Sequence, residues 1–375
     1  MANTLLTPSI IAKEAIIALE NNLVAGGNVH RDYSEAYSNV GDTISVRKPA
    51  TFTAAEYNGS TVSTQNVTET AVAVQLSELM DVTFAVTSKE LSLSIADFSK
   101  QFIEPAVRAH AQAIDNAICA LYADVPYFSA SGDTAWTTLG AFGAARKVLN
   151  DNKAPLVDRR ALLGTTADMK VLKIDSVVEA DKSGSTDALR GAEIGQVIGF
   201  NTFMDQNIDS HTAGAGSTPA NAVVDLVAGY DVGDTELHFD GIATATPLKV
   251  GDILVMPDGN SHVVTVAGTI ATNDQDVTVY PALKTALAND AVCTIKNPAT
   301  ATEENLFFHK NAFALVTRPL APPMGAARVE TVSWNGISMR VVYDYDRNLK
   351  SDVISIDCLW GVKTLTPELA CRAWG

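Results

Sequence analysis

"NLFFHKNAFALVTRPLAPP", residues 305–323, is the stretch on which the fold turns. One histidine, His309, sits inside an apolar run that closes in a proline cluster. In an alternating strand His309 faces away from Phe308, and the question is whether it does chemistry. A catalytic or metal-binding histidine needs partners. His30, His110, His211, His238 and His262 are scattered, and no two histidines stand at a local metal-ligand spacing. His309 therefore reads as a structural or interface residue of a strand.

The rest of the chain offers no stronger chemistry. It contains no HExxH, no GxSxG, no Walker A loop and no GxGxxG after a strand. The most glycine-rich stretch, "GAEIGQVIG" (191–199), lacks the dinucleotide spacing and reads as structural turns. "YDYDRNLKSD" (343–352) brings Asp344, Asp346 and Asp352 close in sequence. Asp344 and Asp346 would share a strand face and could suit a metal or an acid–base pair. The plainer reading is a solvated hairpin tip, since the glycine and terminal Glu of a calcium loop are missing. No catalytic, cofactor-binding or metal-binding residue is expected.

The 375 residues are 47% hydrophobic and 19% charged, enough for about two or three domains with real cores. Acidic residues outnumber basic ones, 43 to 27, for a net charge of −16. Proteins that grip nucleic acid through phosphates show the opposite balance. Self-association of such a chain must be driven by apolar burial against charge repulsion. Cys119, Cys293, Cys358 and Cys371 form no CxxC pair and read as reduced, buried thiols. Lys13 and Glu14 interrupt "SIIAKEAIIALE" (9–20), which argues against a signal peptide, and no apolar run is long enough for a membrane span.

Along the chain, residues 7–24 read as a helix, with Thr7 as cap and Ile10, Ile17 and Val24 at helical spacing. Two readings stand for it: an arm docking elsewhere, or a helix packed on its own core. Residues 41–88 read as an extended β element. Its strands are "GDTISVRKPATF" (41–52), "AVAVQLSE" with Val72, Val74 and Leu76 on one face, and "DVTFAVTS" with Val82, Phe84 and Val86. A polar stretch, 53–70, separates the first two. The longest helical signal spans 94–125, with Ile103, Val107, Ile114, Ile118 and Leu121 as its apolar side. Pro105 must kink it or start its second part. Residues 136–206 read as mixed α/β, with Thr165 or Thr166 capping a helix. "DSHTAGAGSTPAN" (209–221) has linker composition, and 222–298 is all β, with Pro257-Asp258-Gly259-Asn260 as a hairpin signal. Strands return at 305–318 and 328–360, and "TPELACRAWG" (366–375) reads as a short closing helix.

Five of these stretches, in order, resemble the major capsid proteins of tailed bacteriophages. "VGDTISVRKPATF" is similar to the strand opening their extended loop, and the helix around "FIEPAVRAHAQAID" resembles their spine helix. "LRGAEIGQVIGFNTFMDQNI" resembles the glycine-patterned stretch of such coats. "NLFFHKNAFALVTRPLAPP" resembles a late strand, and "VVYDYDRNLKSDVISIDCLWGVKTLTPELA" the closing strands. The insertion at about 209–300 resembles the extra domain of one branch of these coats.

The resemblance implies an α+β, Hong Kong 97-like capsid fold with an inserted small all-β barrel. Its parts would be an N-terminal arm (1–40), an extended β loop (41–88), and a peripheral domain with the spine helix (89–130 and 319–375). An axial domain (131–208 and 301–318) and the inserted barrel (209–300) would complete it. It implies a non-enzymatic, cofactor-free virion protein that self-assembles into pentamers and hexamers of an icosahedral shell. A scaffolding protein and a portal would join during assembly in the host cytoplasm, and decoration proteins could bind outside. The shell would enclose DNA without reading its sequence, and no membrane would be involved. Two rival readings remain, a tail or adhesion component and an enzyme using the 344–352 carboxylates.

Overall fold

The apolar run at 305–309 ends the strand Thr302–His309. A 3₁₀ turn, Lys310–Ala312, leads from it into the strand Phe313–Arg318. Leu306, Phe307 and Phe308 are all fully buried. Phe307 enters a core with Trp136, Phe142 and Phe200, its ring 5.3 Å from Phe142 and 5.2 Å from Phe200. Phe308 instead meets Phe313 at 5.2 Å. The strand is thus apolar on both faces, which is why its sequence is continuous rather than alternating.

The computed structural model describes residues 8–31, 43–47, 71–86, 99–129, 136–214, 221–240, 247–269, 274–323, 328–346 and 351–375. The polar stretch 53–70 and the hairpin tip 347–350 lie outside them. The chain divides into two units. One comprises Met1–Asn22, Arg31–Ala111 and Ala314–Leu365, and the other Leu23–His30, Gln112–Phe313 and Thr366–Gly375.

In the first unit, Ser351–Thr364 is the strand on which the sheet is organised. It pairs antiparallel with Ile337–Asp346 on one side and with Glu78–Val86 on the other, and Arg328–Trp334 extends the sheet beyond Ile337–Asp346. Asn335 and Gly336, both at positive φ, turn the tight Trp334–Ile337 hairpin. The expected alternation holds in Glu78–Val86, where Val82 and Phe84 are half-buried and Val86 buried while Asp81, Thr83 and Ala85 are exposed. Thr43–Arg47 and Ala71–Gln75 form a two-stranded antiparallel ribbon. Helix Pro8–Asn22 lies on the strands Arg328–Trp334 and Ile337–Asp346, with Ile11, Ala15, Ile16 and Leu19 buried. Within the chain the helix thus packs on its own sheet.

The long helix is wound three ways. A π-helical turn, Ser99–Ile103, precedes the α-helix Glu104–Cys119, and a 3₁₀ turn, Ala120–Asp124, follows. Pro105 is the second α residue, where its missing N–H costs least and the winding changes. Ile103, Val107, Ile114 and Ile118 are buried as the spacing predicts.

The second unit holds a seven-stranded mixed sheet. Its order is Phe128–Ser129, Ala370–Trp374, Thr302–His309, Arg159–Leu163, Phe200–Met204 and Gln196–Val197, with Ser210–His211 paired to the start of Thr302–His309. Helix Gly140–Asp151 packs on it. Two expectations are corrected here. "ACRAW" in the expected closing helix is a fully buried strand, because it completes hydrogen bonds along Thr302–His309, and Pro367–Leu369 contributes only a 3₁₀ turn. Neither Thr165 nor Thr166 caps the helix Thr165–Val171. Glu303, reaching from the neighbouring strand, accepts the backbone N–H of Thr166 at 3.0 Å and hydroxyl bonds from both threonines.

Between Ser210–His211 and Thr302–His309 the chain forms a closed six-stranded antiparallel barrel. Its order is Glu236–Asp240, Gln275–Tyr280, Ser261–Ala267, Ile253–Val255, Val292–Ile295 and Asn221–Val224. Leu237, Phe239, Leu254, Val264, Val277, Val279 and Cys293 fill it. Closure removes free strand edges.

A buried carboxylate also fastens this unit. Asp115, on the long helix, accepts the backbone N–H of Val24 at 2.9 Å and of Gly26 at 2.8 Å. Burial pushes its carboxyl up to about 7 despite these hydrogen bonds. A raised folded-state pKa means that the folded chain keeps a proton which the unfolded chain releases near pH 4. Stability should therefore fall as pH rises from about 4 to about 7, by at most about 1.4 kcal/mol per pH unit, and level off above. Urea unfolding at several pH values should show this slope, and Asp115→Asn should flatten it.

Candidate functional site

None of the residues singled out for chemistry joins a catalytic cluster. His309 is 8% exposed, and its Nδ1 accepts the backbone N–H of Asn311 at 3.2 Å, capping the 3₁₀ turn. Burial holds its imidazole below the usual range, as suits a neutral acceptor. Asp344 is exposed on Ile337–Asp346, and Tyr345 rather than Asp344 stands opposite Asp352. These aspartates do not come within metal-ligand reach of one another as a set. Ile198 and Gly199, both at positive φ, turn the short hairpin Gln196–Val197/Phe200–Met204, and Gly195, also at positive φ, precedes its first strand, the structural role the spacing suggested.

A dense polar arrangement lies in the second unit, where the barrel is fastened to the mixed sheet. Arg372 sits there fully buried on the last strand. Its Nη2 donates to the Gly251 carbonyl of the barrel at 2.8 Å, and its guanidinium lies 5.5 Å over the Tyr122 ring. Glu304, on the return strand, is its counter-charge at 3.7 Å and accepts Trp374 Nε1 at 2.9 Å. Burial pushes the Glu304 carboxyl up, and Arg372 opposes this.

Beside this pair, Asp252 receives His211 Nε2 at 2.7 Å and the backbone N–H of Gly214 and Lys249 at 3.0 and 2.8 Å. With the Nε2 proton given to the carboxylate, Nδ1 receives the Tyr122 hydroxyl at 3.2 Å. Asn297 accepts the Ile253 N–H at 2.5 Å, and Ala213 N–H bonds the Pro298 carbonyl at 3.0 Å, joining the chain entering the barrel to the chain leaving it. Gly251 is required here: its φ is +93°, and a Cβ would lie 3.3 Å from the Tyr122 ring and 3.4 Å from His211. Sequence reading missed this site. His211 lies within a stretch of linker composition, and the other members are spread from 122 to 374.

A second polar cluster, in the first unit, clamps Glu78–Val86 to its sheet. Asp81 and Asp357 stand directly opposite across the strand pair, a destabilising arrangement for two bare carboxylates. Arg340 compensates, its Nε donating to Asp357 at 2.8 Å and its Nη1 to the Ala321 carbonyl at 2.7 Å. Ser355 Oγ lies 2.5 Å from Asp81 and 2.7 Å from Asp357. Burial alone would push Asp81 up, but hydrogen bonds with Ser355, Asp357 and Thr83 outweigh it and hold the carboxyl below its usual range. Nearby, buried His110 meets the Ile356 carbonyl through Nε2 at 2.9 Å. All four cysteines are free and buried, as expected, and burial pushes the Cys293, Cys358 and Cys371 thiols up to about 12. These are fastening devices, and nothing in either cluster pairs a nucleophile with a base at an open surface.

Buried ion pairs are most costly when one partner is removed. Arg372→Ala should therefore destabilise by about 3–5 kcal/mol in chemical denaturation, because Glu304 stays buried without its cation. Replacing both, Arg372→Met with Glu304→Leu, should recover most of the loss.

Residues 243–372 match the family model of the P22 coat protein (gene protein 5), a segment that takes in four of the six barrel strands, Glu304 and Arg372. No curated protein sequence matches the chain. Among solved structures, a chain of Mycobacterium phage Che8 superposes with a TM-score of 0.50 at 14% identity, over 94% of this chain and 90% of that one. The capsid structure of Cyanophage P-SCSP1u gives a TM-score of 0.47 at 12% identity, over 89% and 83% of the two chains. The mature capsid of bacteriophage PhiM1 gives 0.45 at 10% identity, over 94% and 86%. At 14% identity the likeness to the Che8 chain is one of fold. Among the described residues, no helix is long and apolar enough to cross a membrane.

Proposed function

We infer that this chain is a major capsid protein of a tailed bacteriophage, whose work is to assemble with copies of itself into the shell of the virion. The observation that carries the reading is the coat-protein match over residues 243–372, in a chain whose fold follows that of the Che8 chain nearly end to end. The chemistry of the molecule agrees. Its two polar clusters fasten strands and a barrel in place, and its surplus of acid over base suits a container wall that does not grip phosphate.

The finer reading is a Hong Kong 97-like subunit. The helix Glu104–Cys119 serves as the spine, and the Thr43–Arg47/Ala71–Gln75 ribbon is the base of the extended loop at 41–88. The sheet built on Ser351–Thr364 belongs to the peripheral part (89–130 and 319–375) and the strands of the mixed sheet within 131–208 and 301–318 to the axial part, with the barrel of about 209–300 as an insertion. Subunits gather as pentamers and hexamers in the host cytoplasm with a scaffolding protein and a portal, and the finished shell encloses DNA without sequence preference. Each subunit contact need supply little, since many repeated contacts act together. The role is structural, with neither catalysis nor a cofactor in it.

Negative-stain electron microscopy of the protein, expressed alone and with its neighbouring genes, tests this. Closed shells tens of nanometres across, or capsomer rings, are the expected outcome, the size being about that of assemblies in which subunits of ~40 kDa tile a closed surface. Monomers or small oligomers under every condition would overturn it.

A further inference from the structure

We propose that the outer wall of the barrel carries a divalent transition-metal site formed by His238, Asp225 and Asp274, with Asp276 orienting the imidazole. Alternation along Glu236–Asp240 sends Leu237 and Phe239 into the barrel core and His238 outward. The two neighbouring strands bring the carboxylates. His238 stands in register with Asp276, and Asp225 directly follows the strand Asn221–Val224, its N–H bonded to the His238 carbonyl at 3.0 Å. One imidazole is thus flanked by acids from two different strands.

The ring is already set as metal sites set it. Nδ1 lies 2.7 Å from Asp276 Oδ1, so the carboxylate holds the Nδ1 proton and leaves Nε2 as the free donor atom. Nε2 is 4.0 Å from Asp225 Oδ2, and one ligand atom from each of Asp225, His238 and Asp274 lies within 4.8 Å of the others. Ligands bound at about 2.0–2.2 Å sit some 3–3.5 Å apart, so rotations of the two carboxylates would close the site. Among the described residues this is the one such gathering of His, Cys, Asp and Glu side chains.

The electrostatics point the same way. Three carboxylates face one imidazole, so the cluster stays negative even with His238 protonated. The arrangement favours a cation, either a proton or a metal. One nitrogen and two oxygens suit zinc, nickel or cobalt better than calcium or magnesium, which take oxygen donors, and water would complete the coordination.

Isothermal titration of the full chain with Zn²⁺ at pH 7.5 tests the proposal, with Co²⁺ absorption as a second readout. Expected is saturable one-to-one binding that His238→Ala abolishes. Asp276→Asn should weaken it by about 10–100-fold, the usual effect of losing an outer carboxylate. These side chains lie on the barrel's outer wall, so the variants should keep the wild-type circular dichroism. No saturable binding, or equal affinity in His238→Ala, overturns the site; unchanged affinity in Asp276→Asn overturns the orienting role.

Discussion

The second unit depends on one strand being satisfied from every direction. Thr302–His309 hydrogen-bonds Ala370–Trp374 on one edge and Arg159–Leu163 on the other, while Phe307 and Phe308 fill opposite faces. Asn305, fully buried, adds a cross-strand tie: its Oδ1 accepts the Gly164 N–H at 2.7 Å and its Nδ2 donates to the Ala373 carbonyl at 3.1 Å. A strand with no free edge and no free face cannot slip in register, because any shift would misplace both aromatic rings and the amide together. The barrel emerges from the chain just before this strand and is held by groups that the strand and its partner present.

Much of this was legible from short-range pattern. Alternation at 72–76 and 82–86 marked the right faces, the apolar spacing of the long helix marked its buried side, and turn chemistry at 257–260 located a barrel hairpin. Local pattern failed where a distant partner decided the outcome. "ACRAW" has no strand alternation because both its faces are buried, and the residues that make it a strand lie some sixty positions earlier. The cap on Thr165–Val171 comes from Glu303 for the same reason. Threonines at a helix start are good local candidates, but a carboxylate delivered by the next strand is a stronger acceptor for several N–H groups.

The polar sites were legible only in part. His309 could be judged structural because no partner stood near it in sequence. The same test passed over His211, His238 and His110, whose partners arrive from other strands or helices. Asp252 lies 41 positions from His211, and Asp276 lies 38 from His238. Antiparallel closure gathers side chains by register, and spacing along the chain carries no trace of it. The carboxylates at 344–352 were the reverse case: close in sequence, but Asp352 pairs with Tyr345 and so falls on the face opposite Asp344 and Asp346.

The chain enters the barrel through Ser210–His211 and leaves it into Thr302–His309, and these two segments pair with each other, His211 opposite Thr302. A module whose two stalks leave side by side occupies no more of its host than a hairpin loop would. Such a cassette can therefore be exchanged, enlarged or removed while the sheet that carries it keeps its registers, provided Arg372 and Glu304 stay neutralised or are replaced together. The same adjacency makes the stalk a natural grafting point for a foreign domain.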